Sequence, residues 1–255
     1  MRFIFTSLLL SLALCGCRST APDHGHAAKS GLPRQKQIFL VIDDGGLALE
    51  ETQQFLDIPV PMTIAVLPHL KQTREVCAAI ARYNDKELIL HQPMEAYSND
   101  VDPGEGAIYN TTDPAAIPSI LTRNLASVHG AVGMNNHMGS KVTENPVLMR
   151  QVLRYCKANG LIFLDSKTAY NSVVPLVARQ EHIHLEQRDS FLDIQHDRAY
   201  IRKMWGQAVA KANRNGYAIV IGHVWSAESA AAIRDSYATL LNQGYTFHKL
   251  SELYE

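Results

Sequence analysis

The sequence carries no marked excess of charge of either sign, since 24 basic and 25 acidic side chains give a formal net charge of −1. A nucleic-acid-binding surface needs a basic surplus or a basic stripe to neutralise phosphates, and this sequence has neither, which argues against a nucleic-acid partner. No glycine-rich phosphate loop follows the first predicted strand, so the main sign of a dinucleotide-binding domain is missing. The composition is that of an ordinary globular protein, 46% hydrophobic and 19% charged over 255 residues. That length suits one α/β barrel of about 200–250 residues.

Cysteine is scarce, with four residues in the whole chain. Cys15 and Cys17 lie together near the N-terminus, whereas Cys77 and Cys156 lie among apolar neighbours in predicted helices. Two remaining cysteines do not make a disulfide framework, even in an exported protein. We therefore expect Cys77 and Cys156 to be buried free thiols.

The N-terminus differs in composition from the rest of the chain. The basic Met1-Arg2 pair precedes an apolar run over 3–14, which predicts a secretory signal peptide (residues 1–17), too short for a permanent membrane span. The ending Leu14-Cys15-Gly16-Cys17 resembles a bacterial lipobox, with Cys17 as the lipidated first residue; the alternative is an ordinary cleaved signal with incidental cysteines. We expect a flexible tether over 18–37 and a protein of the periplasm or cell envelope, lipid-anchored to a membrane.

From Ile38 onward, short β-type runs alternate with helical stretches, a pattern typical of βα units around a parallel sheet. Asp113-Pro114 and Asn145-Pro146 predict helix starts, and Gly160, Gly216 and Gly244 predict helix ends. The predicted strands are Ile38–Ile42, Met62–Leu67, Leu88–His91, Ala131–Asn135, Leu161–Leu164, His182–Glu186, Tyr217–Ile221 and Tyr245–Leu250. About eight such steps predict a single α/β domain over 38–255, a distorted (β/α) barrel of about seven to eight parallel strands.

Side chains that can bind metal or move protons collect where the predicted strands end, which in β/α barrels is the face of the active site. They are Asp43, Asp44, His69, His91, Glu95, Asn136, His137, Ser140, Asp165, Arg188, Asp189 and His223. Each has a structural alternative, such as a turn, a helix cap or a hydrogen bond to backbone, and we interpret His182 and His184 as structural. A whole ring of such residues is hard to explain by packing alone.

This ring has a chemical use. One carboxylate and two imidazoles from three strands can hold a zinc-like ion and leave a position open for water, whose pKa then falls toward about 7. A second carboxylate could accept a proton and a histidine across the site could donate one. Asp43 and Asp44 are adjacent, and successive strand side chains point to opposite faces, so we expect one to be the ligand and the other the base.

Several of these segments together are recognisable. The sequence resembles the divergent polysaccharide deacetylases (the YibQ-like family), distant relatives of the NodB-type deacetylases. The matching segments are Val41-Ile42-Asp43-Asp44-Gly45-Gly46, Ala65-Val66-Leu67-Pro68, His91-Gln92-Pro93-Met94-Glu95, Asn135-Asn136-His137-Met138-Gly139-Ser140, Leu164-Asp165-Ser166-Lys167-Thr168 and Arg188-Asp189-Ser190-Phe191-Leu192-Asp193. The resemblance implies a distorted β/α barrel and a metal-dependent hydrolase that acts on acetylated carbohydrate.

Carried over by position, the resemblance makes Asp43 the base, Asp44 a ligand and His223 the catalytic histidine. The NodB-type enzymes take two histidine ligands from one His-x-x-x-His segment, but here the residue four past His91 is Glu95, so we assign His137 as the second imidazole. The predicted metal is divalent, with zinc favoured. We assign Asp165 to catalysis as well. The residues assigned to substrate binding are Glu95, Asn136, Ser140, Arg188 and Asp189.

Three functions are compatible with this site. The leading hypothesis is hydrolysis of acetyl groups on an envelope polysaccharide such as peptidoglycan, with the loop over Tyr97–Thr112 lying above the site. A second is a non-catalytic glycan- or protein-binding module or regulator. A third, glycoside hydrolysis, needs two carboxyl groups about 5–10 Å apart, which Asp165, Asp189 and Asp193 could offer, but it leaves the histidines unexplained. The sequence leaves the oligomeric state open.

Overall fold

Residues 36–98 and 100–254 are described by the computed structural model, and within them nine parallel strands form one sheet. The predicted signal peptide lies outside the described residues, as does the tether up to residue 35. The strands are β1 Lys36–Gly45, β2 Met62–Val66, β3 Lys86–Met94, β4 Gly133–Met138, β5 Ile162–Asp165, β6 Glu186–Gln187, β7 Ser190–Phe191, β8 Tyr217–His223 and β9 Tyr245–His248. The helices are α1 Leu49–Leu56, α2 Thr73–Ile80, α3 Ile117–Ser127, α4 Pro146–Ala158, α5 Val174–Gln180, α6 Arg198–Asn215 and α7 Ala227–Asn242.

The sheet curls until its two ends are joined by two residues of chain. Its strand order is β6-β5-β4-β3-β2-β1-β8-β7, so β6 and β7 are the terminal strands. In sequence they are separated by Arg188 and Asp189 alone: the chain pairs first with β5 and then with β8. On the side of β1 opposite β8, β9 pairs with the first residues of β1, and β2 pairs with β1 from Val41 onward. This confirms the predicted distorted (β/α) barrel.

Alternation along the strands divides the apolar side chains into two clusters. One fills the barrel interior, and its buried members are Phe39, Val41, Ala65, Ile89, Leu164, Ile219, Ile221 and Leu250. The larger cluster lies between the strands and the surrounding helices and includes Ile38, Leu40 and Ile42 of β1. Both faces of β1 are therefore covered, which explains its nearly continuous apolar sequence.

The predicted helix signals are confirmed where they can be checked. The side chain of Asn145 accepts hydrogen bonds from the backbone N–H groups of Val147 and Leu148 at the start of α4. Gly216 ends α6 in the left-handed region at φ 95°, a conformation that favours glycine over residues with a Cβ. Among the described residues, no helix combines the length and hydropathy needed to cross a membrane.

Most predicted strand bounds differ from the observed ones by up to about three residues, and two differences have a clear structural reason. The sixth strand was predicted at His182–Glu186 but begins at Glu186, because α5 ends at Gln180 and the chain must turn, with His182 exposed at φ 52°. Lys36 and Gln37, assigned to the tether, belong to β1.

The prediction of buried free thiols is confirmed. Cys77 and Cys156 are both buried and unbonded. Burial raises the pKa of the Cys77 thiol to about 11 and that of Cys156 to about 12. Both thiols are therefore inert packing groups rather than nucleophiles.

Candidate metal centre

Alternation along the strands places most of the site's side chains in the barrel interior. Asp43 continues the interior-facing series of β1 after Phe39 and Val41, and His91 follows Ile89 on β3 in the same way. His223 extends the interior series of β8, and His137 lies two residues beyond Asn135 on β4. Because parallel strands end at one edge of a sheet, these side chains meet at the C-terminal mouth of the barrel.

Asp44 reaches the mouth by a different route. By alternation it should point away from the interior, but the β1–β2 pairing shifts between Ile42 and Gly45, so that β1 gains one residue relative to β2. Asp44 itself has φ 67°, a left-handed conformation that costs a non-glycine residue about 1–2 kcal/mol. This local bulge turns the carboxylate into the site, and strain of this kind is typical of functional positions.

Three potential ligand atoms converge at the mouth. Asp44 Oδ1 lies 3.2 Å from His91 Nε2 and 3.1 Å from His137 Nδ1, and the two nitrogens are 3.1 Å apart. Two ligands about 2.0–2.1 Å from a zinc ion at the tetrahedral angle would lie about 3.3–3.4 Å apart. The three separations are within 0.3 Å of that range, so the three side chains can together hold a small divalent cation.

Hydrogen bonds beside the triad fix the orientation of His91 within it. Asn135 donates from Nδ2 to Asp43 Oδ1 at 2.8 Å, so its Oδ1 faces His91 and accepts from Nδ1–H at 2.7 Å. That bond sets the His91 tautomer and points Nε2 into the triad, 3.1 Å from His137 Nδ1, a contact that a metal ion would replace. Asp44 Oδ1 is buried and has no hydrogen-bond partner among the described residues. A cation would satisfy both atoms.

The local electrostatics also favour a cation. Burial would raise the pKa of Asp44, but the imidazoles of His137 and His91 outweigh it and hold this pKa well below its usual range. Burial would lower the pKa of His91, but Asp43 and Asp44 raise it to about 9. Burial raises the pKa of Asp43 above its usual value, with the histidines opposing the change. The negative potential that raises the pKa of His91 also attracts a metal ion.

A second polar pair faces the triad from β8. His223 Nδ1 lies 2.7 Å from Asp193 Oδ1, and Asp193 also accepts from the backbone N–H of His223 and from Ser229 Oγ. Asp193 is fully buried, and the pKa of His223 is raised because the hydrogen bond and charge of Asp193 outweigh the opposing effect of burial. This arrangement fixes the imidazole with Nδ1–H on the carboxylate, and Nε2 remains available for proton transfer.

Sequence reasoning missed three residues that shape this site. Asn135 links Asp43 to His91; it stood within a recognised segment but was given no role. Asp193 was considered only as a glycosidase carboxylate. Trp225, two residues after His223, donates from Nε1 to Asp44 Oδ2 at 3.0 Å. The interior register of β4 would have pointed to Asn135; nothing in the sequence pointed to Trp225.

The structure does not bring Asp165 into the triad. Leu164 faces the interior, so Asp165 points to the other face of β5, where its carboxylate accepts from Lys167 N, Ser172 Oγ and Gln187 Nε2. These contacts support the loop after β5, and a catalytic role for Asp165 stays a prediction. His69, after β2, hydrogen-bonds to Asn124.

The residues assigned to substrate binding hold the surrounding loops together. Glu95 pairs with Lys141 Nζ at 2.6 Å and accepts from Asn110 N, and Ser140 Oγ accepts from Tyr97 N, which ties the loop over 97–112 to the end of β4. The remaining assigned residues are Asn136, Arg188 and Asp189. Their side chains bond to the backbone or side chains of the β4, β5 and β8 regions and, for Asp189, to Lys211. Substrate contact by all five stays a prediction.

A distorted β/α barrel with an Asp-His-His cluster at its mouth defines the class of the protein, that of the deacetylase-type barrels. The sequence profile described as "divergent polysaccharide deacetylase" matches residues 40–254, and the chain belongs to this family. An uncharacterized Escherichia coli protein, YibQ, is 35% identical over 191 residues, 73% of this chain and 58% of that protein. An uncharacterized Haemophilus influenzae protein is 30% identical over 74% of this chain and 67% of that protein. The chain thus spans about three fifths to two thirds of these relatives.

Solved structures agree on the fold. An uncharacterized protein from Agrobacterium tumefaciens superposes with a TM-score of 0.80 at 23% identity, covering 88% of this chain and 91% of that one. The catalytic domain of a peptidoglycan N-acetylglucosamine deacetylase from Eubacterium rectale gives 0.54 at 16% identity, over 88% and 93%. A CE4-family pseudoenzyme from Bacillus anthracis gives 0.53 at 15%, over 88% and 67%. At these identities the likeness establishes the barrel fold alone.

Proposed function

We propose that this protein is a metal-dependent hydrolase that removes acetyl groups from an envelope polysaccharide. The observation that carries the proposal is the convergence of Asp44, His91 and His137 within 3.2 Å of one another, between the buried Asp43 and the oriented His223. Ligands of one carboxylate and two imidazoles favour zinc among the common divalent ions. When bound, such an ion supplies a Lewis acid that activates water near neutral pH.

The chain's own residues supply the proton transfers. Asp43 is held at Oδ1 by Asn135, which leaves Oδ2, 3.7 Å from His91 Nε2, as the atom that accepts a proton. Its raised pKa makes it a stronger base than an exposed aspartate. His223, with Nδ1–H held by Asp193, donates from Nε2 to the leaving group.

The substrate is proposed from the family and the predicted export together. The family name, and the Eubacterium rectale structure named as a peptidoglycan deacetylase, support an acetylated glycan such as peptidoglycan. The predicted signal peptide supports a location in the periplasm or cell envelope, with a lipid anchor at Cys17. Cys17→Ala should move the protein from the membrane fraction to the soluble fraction, and a protein that stays with the membrane would contradict the anchor.

The first test is metal content. The purified protein should hold about one zinc or similar ion per chain, and a variant with Asp44, His91 and His137 all changed to alanine should hold none. A matched control changes exposed residues of the same types, Asp57, His129 and His184, to alanine and should keep the ion. Wild-type protein that takes up no metal under any loading condition, while folded, would overturn the proposal.

The alternative is a non-catalytic module that binds a glycan or a partner protein with the same cleft. The pseudoenzyme from Bacillus anthracis shows that a related barrel can lack activity, so loaded protein must be assayed directly for acetate release from acetylated glycans. Asp43→Asn separates the two functions. It should abolish the biological effect of an enzyme and leave that of a binding module largely intact.

A further inference from the structure

Trp225 connects the two halves of the site. It follows β8 by two residues, and its indole N–H donates to Asp44 Oδ2 at 3.0 Å. The same ring stacks on His223, with ring centroids 5.0 Å apart and planes inclined by 16°. His196 stacks on Trp225 as well, at 4.7 Å and 26°. One side chain therefore contacts a candidate metal ligand and the candidate proton donor at once.

The hydrogen bond from Trp225 gives the two oxygens of Asp44 different tasks. Oδ1 faces His91 and His137, while Oδ2 accepts the indole N–H. Among the described residues, the indole N–H gives the one hydrogen bond that this carboxylate accepts, since Oδ1 has no hydrogen-bond partner.

The stacking fixes the plane of His223. The imidazole lies between Trp225 and Phe191, whose ring centroid is 5.5 Å away at an interplanar angle of 26°. Asp193 fixes the rotation of the imidazole within that plane through Nδ1. Loss of the Trp225 ring would leave one face of the imidazole uncovered.

We infer that Trp225 is a positioning residue, whose N–H holds Asp44 as a single-oxygen metal ligand and whose ring holds His223. The inference rests on the proposed metal-dependent function and adds to it a residue for which the family resemblance implied no role. Outer hydrogen bonds of this kind orient metal ligands, and their loss typically weakens metal binding about 10–100-fold.

Trp225→Phe separates the two tasks, because phenylalanine keeps an aromatic ring and removes the N–H donor. Zinc affinity, measured by competition with a chromogenic chelator, should fall about 10–100-fold. The chain's other tryptophan provides a matched control: Trp205 donates its indole N–H to Ser236 Oγ at 2.8 Å, between α6 and α7. Trp205→Phe loses an equivalent donor away from the mouth and should bind zinc like the wild type, with both variants shown to be folded by circular dichroism.

A third variant tests the role of the ring. At saturating zinc, kcat for acetate release should stay within about threefold of wild type in Trp225→Phe and fall at least tenfold in Trp225→Ala. Equal zinc affinity in Trp225→Phe and wild type would overturn the positioning of Asp44, and equal kcat in Trp225→Ala would overturn that of His223. Neither result would affect the proposed function, which fails if the wild type itself binds no metal or, once loaded with metal, releases no acetate.

Discussion

Asn135→Ala offers the most informative perturbation of the site, because one buried side chain holds both a candidate base and a candidate ligand. Asn135 is fully buried and bonds to Asp43 Oδ1 at 2.8 Å and to His91 Nδ1 at 2.7 Å. Truncation would leave a buried carboxylate oxygen and a buried imidazole N–H without partners. Each orphaned group costs about 1–3 kcal/mol, so we expect the free energy of unfolding to fall by about 2–6 kcal/mol.

The assay is urea unfolding of the metal-free protein, followed by zinc titration of the folded variant. Chelator must be present in the first step, since a bound ligand stabilises the native state by mass action and would mask the difference. In the second step zinc affinity should fall about 10–100-fold, because His91 loses the contact that fixes its tautomer and ring orientation.

Asn124→Ala is the matched control. Asn124 is also buried, and its side chain bonds to Gln92, Gly106 and His69, none of which belongs to the triad. It should lose a comparable amount of stability and keep the zinc affinity of the wild type. If Asn135→Ala binds zinc as tightly as Asn124→Ala does, Asn135 does not orient a ligand and the tautomer argument for His91 is refuted.

Four further substitutions test residues outside the metal triad. Ser166→Ala removes a buried hydroxyl without a hydrogen-bond partner among the described residues, so stability in urea should hold or rise; a loss above about 1 kcal/mol would reveal a partner. Asp193→Asn removes the charged acceptor of His223 Nδ1–H, so acetate release should fall roughly 100-fold or more at unchanged zinc content. Unchanged acetate release would show that the His223–Asp193 pair takes no part in catalysis. Gly133→Ala places a Cβ 2.7 Å from a carbonyl oxygen of β5 and should lower the stability of the protein by about 1–3 kcal/mol in a thermal melt. Gly206→Ala, in open space within α6, should raise it by about 0.5–1 kcal/mol in the same measurement.

Much of the site could be predicted from the sequence because two regular features of parallel sheets act together. Alternation places every second strand residue in the interior, and parallel strands bring their C-terminal ends to one face. Asp43, His91, His137 and His223 all follow these two rules, so identifying the strands was enough to bring them together. The same alternation, applied to Leu164, also shows why Asp165 points away from the mouth.

Asp44 could not be placed by that rule, since alternation sends it to the outer face. Its position depends on a bulge in β1 and on a left-handed residue, and neither follows from the pattern of apolar residues. Only the family resemblance pointed to Asp44 as the ligand. A short polar side chain tolerates the left-handed region better than most, which is the one physical hint the sequence contained.

Trp225 and Asp193 show where prediction from pattern ends. Both lie in loops beyond strand ends, Asp193 after β7 and Trp225 after β8, and their roles depend on loop conformations that no periodicity encodes. Each nonetheless acts on a residue that alternation does place: Asp193 on His223, and Trp225 on His223 and, across the site, on Asp44. In this barrel the strands set which side chains meet, and the loops set which oxygen, nitrogen or tautomer each side chain presents. A variant that keeps the strand residues and changes only Asp193 and Trp225 should therefore keep the fold and the metal ligands but lose the orientation of those ligands and of His223. Comparing its metal affinity with its turnover would separate the contribution of the strands from that of the loops.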